Sequence, residues 1–289
     1  MKRLSGLLLA VGLMGCAAKQ NAVGDANPVA ALEQPGAEIG GDRPATLDPG
    51  AALEKVGAGI SRNAEGEIVS LNLSASKITD AEMPYLKGLT SLQNITLDRT
   101  GITDAGLEHM KGLTNLQALY IWHTGVTDAG MEHLKGLTSL SILNLASLDI
   151  TDAGVEHLKE MTSLRNLNLK GTQVKGEGFE HPKGLAKLKV LKLNDTRVTD
   201  ATVKHLTGLT ELKELWLDST QITDTSLEHL KSLSGLQMLN ISSSQVTDVG
   251  LASLKRLNLQ HLGIENCEKI TDAGVAEFQK SLPNCTISR

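Results

Sequence analysis

The sequence predicts an α/β solenoid: a curved, right-handed array with a parallel sheet on its concave face and short helices on its convex face. Three observations carry this. A unit of about 24 residues recurs about nine times between Glu67 and the C-terminus. Within each unit the apolar residues first alternate and then fall three apart, so the unit reads strand, then short helix. Four of the seven prolines lie between Ala17 and Gly50, ahead of the first unit.

The elements follow in chain order. Met1-Lys2-Arg3 is basic, and Leu4 to Met14 is apolar but broken by Ser5, Gly6 and Gly12. That run is too short for a bilayer, which needs about 20 residues. Its order of basic, apolar and small residues reads as a cleaved export signal over residues 1–15. Leu13-Met14-Gly15-Cys16 resembles the bacterial lipobox, in which the cysteine is lipidated and becomes the first mature residue. The resemblance covers residues 1–16 and implies an exported protein held in the bacterial cell envelope through Cys16. Ala17, standing where an Asp would retain the protein at the inner membrane, implies the outer membrane. Several acyl chains suffice as an anchor, since each buried methylene contributes about 0.8 kcal/mol. The alternative is an ordinary secretory signal in which Cys16 is incidental.

Residues 16–50 read as a tether. Pro28, Pro35, Pro44 and Pro49 are interspersed with glycines, and no apolar period is sustained. Such a segment cannot bury enough surface to offset its ordering entropy. Its span as a flexible chain is roughly 30 Å. Residues 51–66 read as an N-terminal cap, with a short helix over Ala51–Val56 and a small hairpin turning at Asn63-Ala64-Glu65-Gly66. A solenoid needs such a cap, because its first repeat otherwise exposes an open face.

The array occupies residues 67–289, and the unit from Ser91 to Thr114 shows its logic. Ile95 and Leu97 alternate with Asn94, Thr96 and Asp98, the period of a half-buried strand. Leu107, Met110 and Leu113 share one helical face. Between them, Ile102-Thr103-Asp104-Ala105-Gly106 supplies a helix start, with Thr103 or Asp104 as N-cap. The L-x-x-L-x-L pattern with I-T-D-A-G-L resembles leucine-rich repeats, nearest to the cysteine-containing and bacterial kinds. Where many such repeats carry an asparagine, this chain has Thr100, Thr124, Thr172, Thr196 and Thr220, whose hydroxyls can bond the turn in a similar way. Leu148 breaks that row and Cys267 ends it. The unit with Val174-Lys175-Gly176-Glu177-Gly178-Phe179 lacks the Thr-Asp pair and adds Pro182, so its outer helix should be irregular. Asn266-Cys267-Glu268-Lys269-Ile270 looks like the repeats of F-box substrate adaptors. No F-box precedes it, and the export signal argues against a ubiquitin-ligase role.

Net charge is −5, and removing Lys2 and Arg3 with the signal leaves −7, which argues against nucleic acid. No phosphate loop, nucleophile–base pair or convergent ligand set is present, so neither catalysis nor a cofactor is expected. His109, His133, His157, His181, His205 and His229 recur at one repeat position. Parallel rows do not converge on a point, as metal ligands must, so no metal site is expected and the row reads as an outer helix face. Cys267 and Cys285 are expected to be free, because about eight positions of extended chain separate their sites and a disulfide needs alpha carbons within about 7 Å.

The candidate binding residues are those that break the repeat on the outward strand positions. One outward row runs Asn72, Thr96, Tyr120, Asn144, Asn168, Lys192, Trp216, Asn240, Gly263; the next runs Ser74, Asp98, Trp122, Ala146, Lys170, Asn194, Asp218, Ser242, Glu265. Of six aromatics in the chain, Tyr120, Trp122 and Trp216 fall in these rows, where no core needs them. Aromatics are enriched at binding hot spots. Lys170 and Lys192 lie between the tryptophan-bearing strands. The expectation is a monomeric, lipid-anchored module that binds a protein or peptide on the concave face. The alternatives are a glycan or peptidoglycan binder stacking sugars on the tryptophans, and an envelope spacer with no specific ligand.

Overall fold

The computed structural model describes residues 48–180 and 182–289. The export signal, Cys16 and the tether up to residue 47 lie outside the described residues, as does His181.

The first helix, α1, spans Pro49–Lys55. It starts two residues before the expected Ala51, and the physical reason is its cap. The Asp48 carboxylate accepts a hydrogen bond from the Ala51 N–H at 3.1 Å, and Pro49 fits the first turn because no N–H is required there. Gly50, placed in the tether by sequence, is therefore helical and buried.

An 11-stranded sheet follows in strict chain order. Strand β1 (Gly59–Arg62) is antiparallel to β2 (Ile68–Asn72), closing the cap as a hairpin. From β2 onward all neighbours are parallel. The three-residue strands are β3 (Asn94–Thr96), β4 (Ala118–Tyr120), β5 (Ile142–Asn144), β6 (Asn166–Asn168), β7 (Val190–Lys192), β8 (Glu214–Trp216), β9 (Met238–Asn240), β10 (His261–Gly263) and β11 (Thr286–Ser288). Register follows the repeat, so Thr96 lies beside Tyr120 and Tyr120 beside Asn144. Asn240 pairs with Gly263, one residue short of the period, which matches the shortened linker at Lys255–Asn258.

The core is one aliphatic column. In a single unit Leu116, Leu119, Ile121, Val126, Met131, Leu134 and Leu137 are all buried. The outer helices are short: α2 (Asp104–Leu107), α3 (Asp128–Met131), α4 (Asp152–Glu156), α5 (Asp200–Val203), α6 (Asp224–Leu230), α7 (Asp248–Ser253) and α8 (Asp272–Ser281). Several continue as a single 3-10 turn, such as Glu108–Met110 after α2. The irregular unit has two 3-10 turns, Glu177–Phe179 and Pro182–Leu185, and Phe179 fills the core place that a leucine takes elsewhere.

The Thr-Asp pair divides its labour in a way the motif did not reveal. Threonine is the N-cap residue: Thr127 accepts from the Ala129 N–H at 3.3 Å. Aspartate reaches forward one repeat instead. Asp80 Oδ1 accepts from the Thr103 N–H at 2.8 Å, and its Oδ2 from the Thr103 hydroxyl at 2.6 Å. The glycine of the same motif makes room for this: a Cβ on Gly106 would stand 2.5 Å from Asp80 Oδ1. In the irregular unit Gly176 replaces the aspartate, and the following unit carries Thr202 where the glycine would be. Thr202 turns its hydroxyl to the Lys175 carbonyl at 2.5 Å.

The threonine row bonds its own turn, as with Thr100 Oγ1 to the Leu97 carbonyl at 2.6 Å and Thr124 Oγ1 to Ile121 at 2.9 Å. Cys267 ends the row by donating to the Ile241 carbonyl at 3.3 Å. Cys267 and Cys285 are free and buried, and burial pushes the Cys285 thiol up.

Candidate functional site

The open face of the sheet is built by alternation. Leu119, Leu143, Leu167, Leu191 and Leu215 point into the core, so their strand neighbours Tyr120, Asn144, Asn168, Lys192 and Trp216 point out. Hydrogen bonding along the ladder aligns these neighbours laterally. The outward asparagines are occupied locally. Asn144, Asn168 and Asn240 each accept, through Oδ1, from the N–H two residues on, at 3.0–3.2 Å. They shape the turn that follows each strand.

That turn has an unusual backbone. Arg99, His123, Ser147, Asp195, Ser219 and Ser243 all hold φ between 53° and 58°, a left-handed conformation that glycine adopts at this place only at Gly171. Each donates its N–H to the next repeat, as Arg99 does to the Trp122 carbonyl at 3.0 Å.

Tyr120, Trp122 and Trp216 are half-buried rather than fully open. A cation lies over each tryptophan ring. The Arg99 guanidinium lies 4.4 Å from the Trp122 ring centroid, and Lys192 Nζ lies 5.1 Å from that of Trp216. Trp122 is also held by its own N–H, which donates to Asp98 Oδ1 at 2.9 Å. Burial nevertheless pushes the Asp98 carboxyl above its ordinary value. Lys170 is exposed and pairs with Asp195 at 3.4 Å.

The expected residues therefore form two centres. Trp122 joins Arg99, with Tyr120 two residues before it in the outward row; sequence reasoning missed Arg99 because a turn residue carries no strand alternation. Lys192 joins Trp216 four strands away, roughly 19 Å at about 4.8 Å per strand. Lys170 joins neither ring. Beyond Trp216 the face sinks into a depression of about 440 Å³, lined by Met238, Asn240, Ser242, His261, Gly263 and Glu265 among others. Gly263 stood in the outward row by sequence without a role assigned to it.

The histidine row lies on the outer helices and turns, as the repeat position implies, but is only partly open to solvent. His109, His133, His157, His205 and His229 are half-buried, and the Nδ1 atoms of His109 and His133 are buried without a partner. Burial first, then the nearby Lys87 charge, holds His109 below the usual imidazole range. Among the described residues no group of three or more His, Cys, Asp or Glu is placed to hold a metal ion. None of their helices is long and apolar enough to cross a membrane.

No protein-family model and no curated protein matches this chain. Solved structures do. An internalin (inlF) from Listeria monocytogenes superposes with a TM-score of 0.63 at 26% identity, over 84% of this chain and 66% of that one. The fold is the leucine-rich-repeat solenoid. Internalin C2 from the same organism gives a TM-score of 0.54 at 24% identity, over 83% of this chain and 92% of its own. The ectodomain of the Arabidopsis thaliana receptor kinase GASSHO1/SCHENGEN3 shares the fold at a TM-score of 0.51 and 18% identity, over 72% of this chain and 28% of its own. In the leucine-rich-repeat frame, the open sheet face carrying the two tryptophan centres is the concave one.

Proposed function

We propose that this chain is a lipid-anchored protein of the bacterial cell envelope that binds a protein or peptide partner on the concave face of its leucine-rich-repeat array. One observation carries the binding reading. Tyr120, Trp122 and Trp216 project from the sheet where the core has no use for them, and Arg99 and Lys192 are set against the tryptophan rings. Aromatic and arginine side chains on one preformed surface are the chemistry of a hot spot. The Arabidopsis neighbour is solved in complex with Casparian strip integrity factor 2. The lipid anchor rests on Leu13-Met14-Gly15-Cys16, with the outer membrane as the destination.

The test is in-cell cross-linking followed by capture of the full chain from solubilised envelope. The unsubstituted protein should retain a partner that a Tyr120→Ala/Trp122→Ala/Trp216→Ala variant loses. Capture of glycan strands instead of a protein would favour the peptidoglycan reading. Equal capture by both proteins would overturn the concave site. Cys16→Ala should release the protein from membranes and abolish incorporation of labelled palmitate; retention of both would overturn the anchor.

A further inference from the structure

We propose that the partner presents a run of acidic residues to a cationic row, Arg165, Lys189 and Lys213, on the strand-entry rim of the concave face beside Trp216. This rests on the reading above that the face binds a protein or peptide, and it names the chemistry that the partner must carry.

The three residues immediately precede β6, β7 and β8. The backbone ladder sets them side by side. The Lys189 N–H donates to the Arg165 carbonyl and the Lys213 N–H to the Lys189 carbonyl, both at 2.8 Å. The same ladder runs on through Ser141, Gln117 and Gln93 before the row, and through Gln237 and Gln260 after it. Those members are all uncharged, so the cations are confined to three consecutive repeats. Arg165 and Lys189 are exposed and Lys213 is half-buried. Lys187, two residues before Lys189, is exposed as well. The Lys213 ammonium donates to the Gly235 carbonyl at 3.2 Å, which fixes it at the rim. Among the described residues no carboxylate forms an ion pair with any of the four, although Glu211 and Glu214 flank Lys213 in sequence.

Like charges at laterally adjacent strand positions repel and weaken a sheet. The fold has no need of them here, since glutamine serves the same place in the flanking repeats. The chain as a whole carries −5, so the row also runs against its net charge. Cations in line and free of any carboxylate complement an anionic partner. The row is short: two strand spacings put its ends about 10 Å apart. A flat membrane surface would meet the whole rim, where Gln93, Gln117, Gln237 and Gln260 offer it no charge. A local run of carboxylates matches the row instead, and about three residues of extended chain span it. Arg165 can hold one carboxylate through two parallel N–H groups, whereas the lysines act as point charges. The row also adjoins the aromatic site. Trp216 stands three residues on from Lys213, roughly 10 Å along the strand direction, and Lys192 stands likewise from Lys189. Lys192 Nζ already lies over the Trp216 ring. One partner segment can therefore set its carboxylates on the row and reach Trp216 within about three further residues.

The experiment uses the full chain in neutral dodecylmaltoside micelles. Dansyl-labelled hexaglutamate and hexaglutamine peptides are titrated in turn and read by fluorescence anisotropy. Hexaglutamate should bind saturably and about tenfold tighter than hexaglutamine at low salt. Added salt should close the gap, because exposed charges are screened. Arg165→Gln/Lys189→Gln/Lys213→Gln installs the residue that the flanking repeats carry. It should weaken hexaglutamate by roughly fivefold to tenfold, the effect of three exposed ion pairs, while its thermal midpoint holds or rises. Lys111→Gln/Lys135→Gln/Lys231→Gln makes the same change in net charge on the outer turns and should leave hexaglutamate binding unchanged. Lys189→Gln alone should weaken it about twofold, which keeps the test decisive if the triple variant folds poorly. Equal binding of the two peptides, or equal losses in the two triple variants, would overturn the proposal. Displacement of hexaglutamate by phosphatidylglycerol added to the micelles, unmatched by phosphatidylcholine, would assign the row to a membrane and overturn it too. Partner capture lost in Trp216→Ala but undiminished in Arg165→Gln/Lys189→Gln/Lys213→Gln would overturn it while leaving the binding reading intact. Capture kept in Trp122→Ala and Trp216→Ala alike would overturn that reading itself.

Discussion

Asp104 and Thr127 are joined twice across a repeat boundary: Oδ1 accepts from the Thr127 N–H and Oδ2 from its hydroxyl, both at 2.8 Å. The same pair of hydrogen bonds links Asp128 to Thr151, Asp200 to Thr223, Asp224 to Thr247 and Asp248 to Thr271. In a solenoid each repeat touches only its neighbours, so a bond that crosses the boundary acts on the term that makes the array cooperative.

Asp128→Ala is expected to destabilise the array by about 2–3 kcal/mol, because a charge-assisted pair is removed and the Thr151 N–H is left at a half-buried site. Asp128→Asn keeps one acceptor oxygen and should lose about half of that. Asp149→Ala, at an exposed position without such bonds, should stay within about 0.5 kcal/mol. Urea unfolding of the three variants measures this, and a shallower transition for Asp128→Ala would add evidence of lost coupling.

How much of this was legible follows from what repetition can encode. The strands, their register and the outward rows were readable, because Leu119 and Tyr120 must face opposite sides once one of them is buried. The shortened step from Asn240 to Gly263 was readable from the Lys255–Asn258 linker. The role of Asp104 was not, since a Thr-Asp pair before a helix fits local capping equally well. Its forward bond spans 23 residues and exists only after stacking. Arg99 was missed for a related reason: its cation–π contact joins consecutive repeats through a turn. Asn194 Oδ1, Trp216 Nε1 and Asp218 Oδ1 are buried without a hydrogen-bond partner, which residue identity alone does not give.

Acid should weaken the array in two separate windows. Burial alone would raise the Asp200 carboxyl, but hydrogen bonds from Ser226 and Thr223 together hold it below its ordinary value. Bonds from the Thr271 hydroxyl and N–H do the same for Asp248. A lowered folded pKa means that the unfolded chain binds more protons, so this stability is present above the unfolded value near 3.9 and is lost as pH falls through the folded one. His109 is also lowered, which places a second window below the unfolded imidazole value near 6.5. The urea midpoint should therefore fall modestly between pH 7.5 and 5.5 and further below pH 4. His109→Gln should flatten the first step and leave the second. A first step that survives in His109→Gln would assign it to another group.

Ser147→Gly should stabilise the protein by about 0.5–1 kcal/mol. Ser147 holds φ at 55°, which crowds its Cβ against backbone, and Gly171 holds the same place one repeat on at 67°. The left-handed conformation costs an L-residue roughly 1–2 kcal/mol, part of which glycine returns through its larger unfolded-state entropy. Gly171→Ser should move the thermal midpoint the opposite way. Its added Cβ would meet nothing closer than 3.5 Å, so backbone conformation and not crowding would carry the change.

Partner binding should concentrate at the two aromatic centres and spare the outer surface. Trp122→Ala and Trp216→Ala remove half-buried rings from the concave face while the leucines beneath remain buried, so thermal midpoints should scarcely move. Truncating a hot-spot aromatic typically weakens binding by about 2 kcal/mol or more, roughly thirtyfold. Arg99→Ala should weaken binding less, and only at the Trp122 centre, because its contact there is with the ring itself. His133→Ala lies on the opposite side of the repeat and should leave affinity unchanged. The centres stand about 19 Å apart, so an extended segment of about six residues reaches both. Effects that add in Trp122→Ala/Trp216→Ala would mean that one partner engages both centres at once. A double variant no weaker than Trp216→Ala would confine the contact to the Trp216 end, and equal affinity in every variant would move the site to the convex helices or the irregular unit around Phe179.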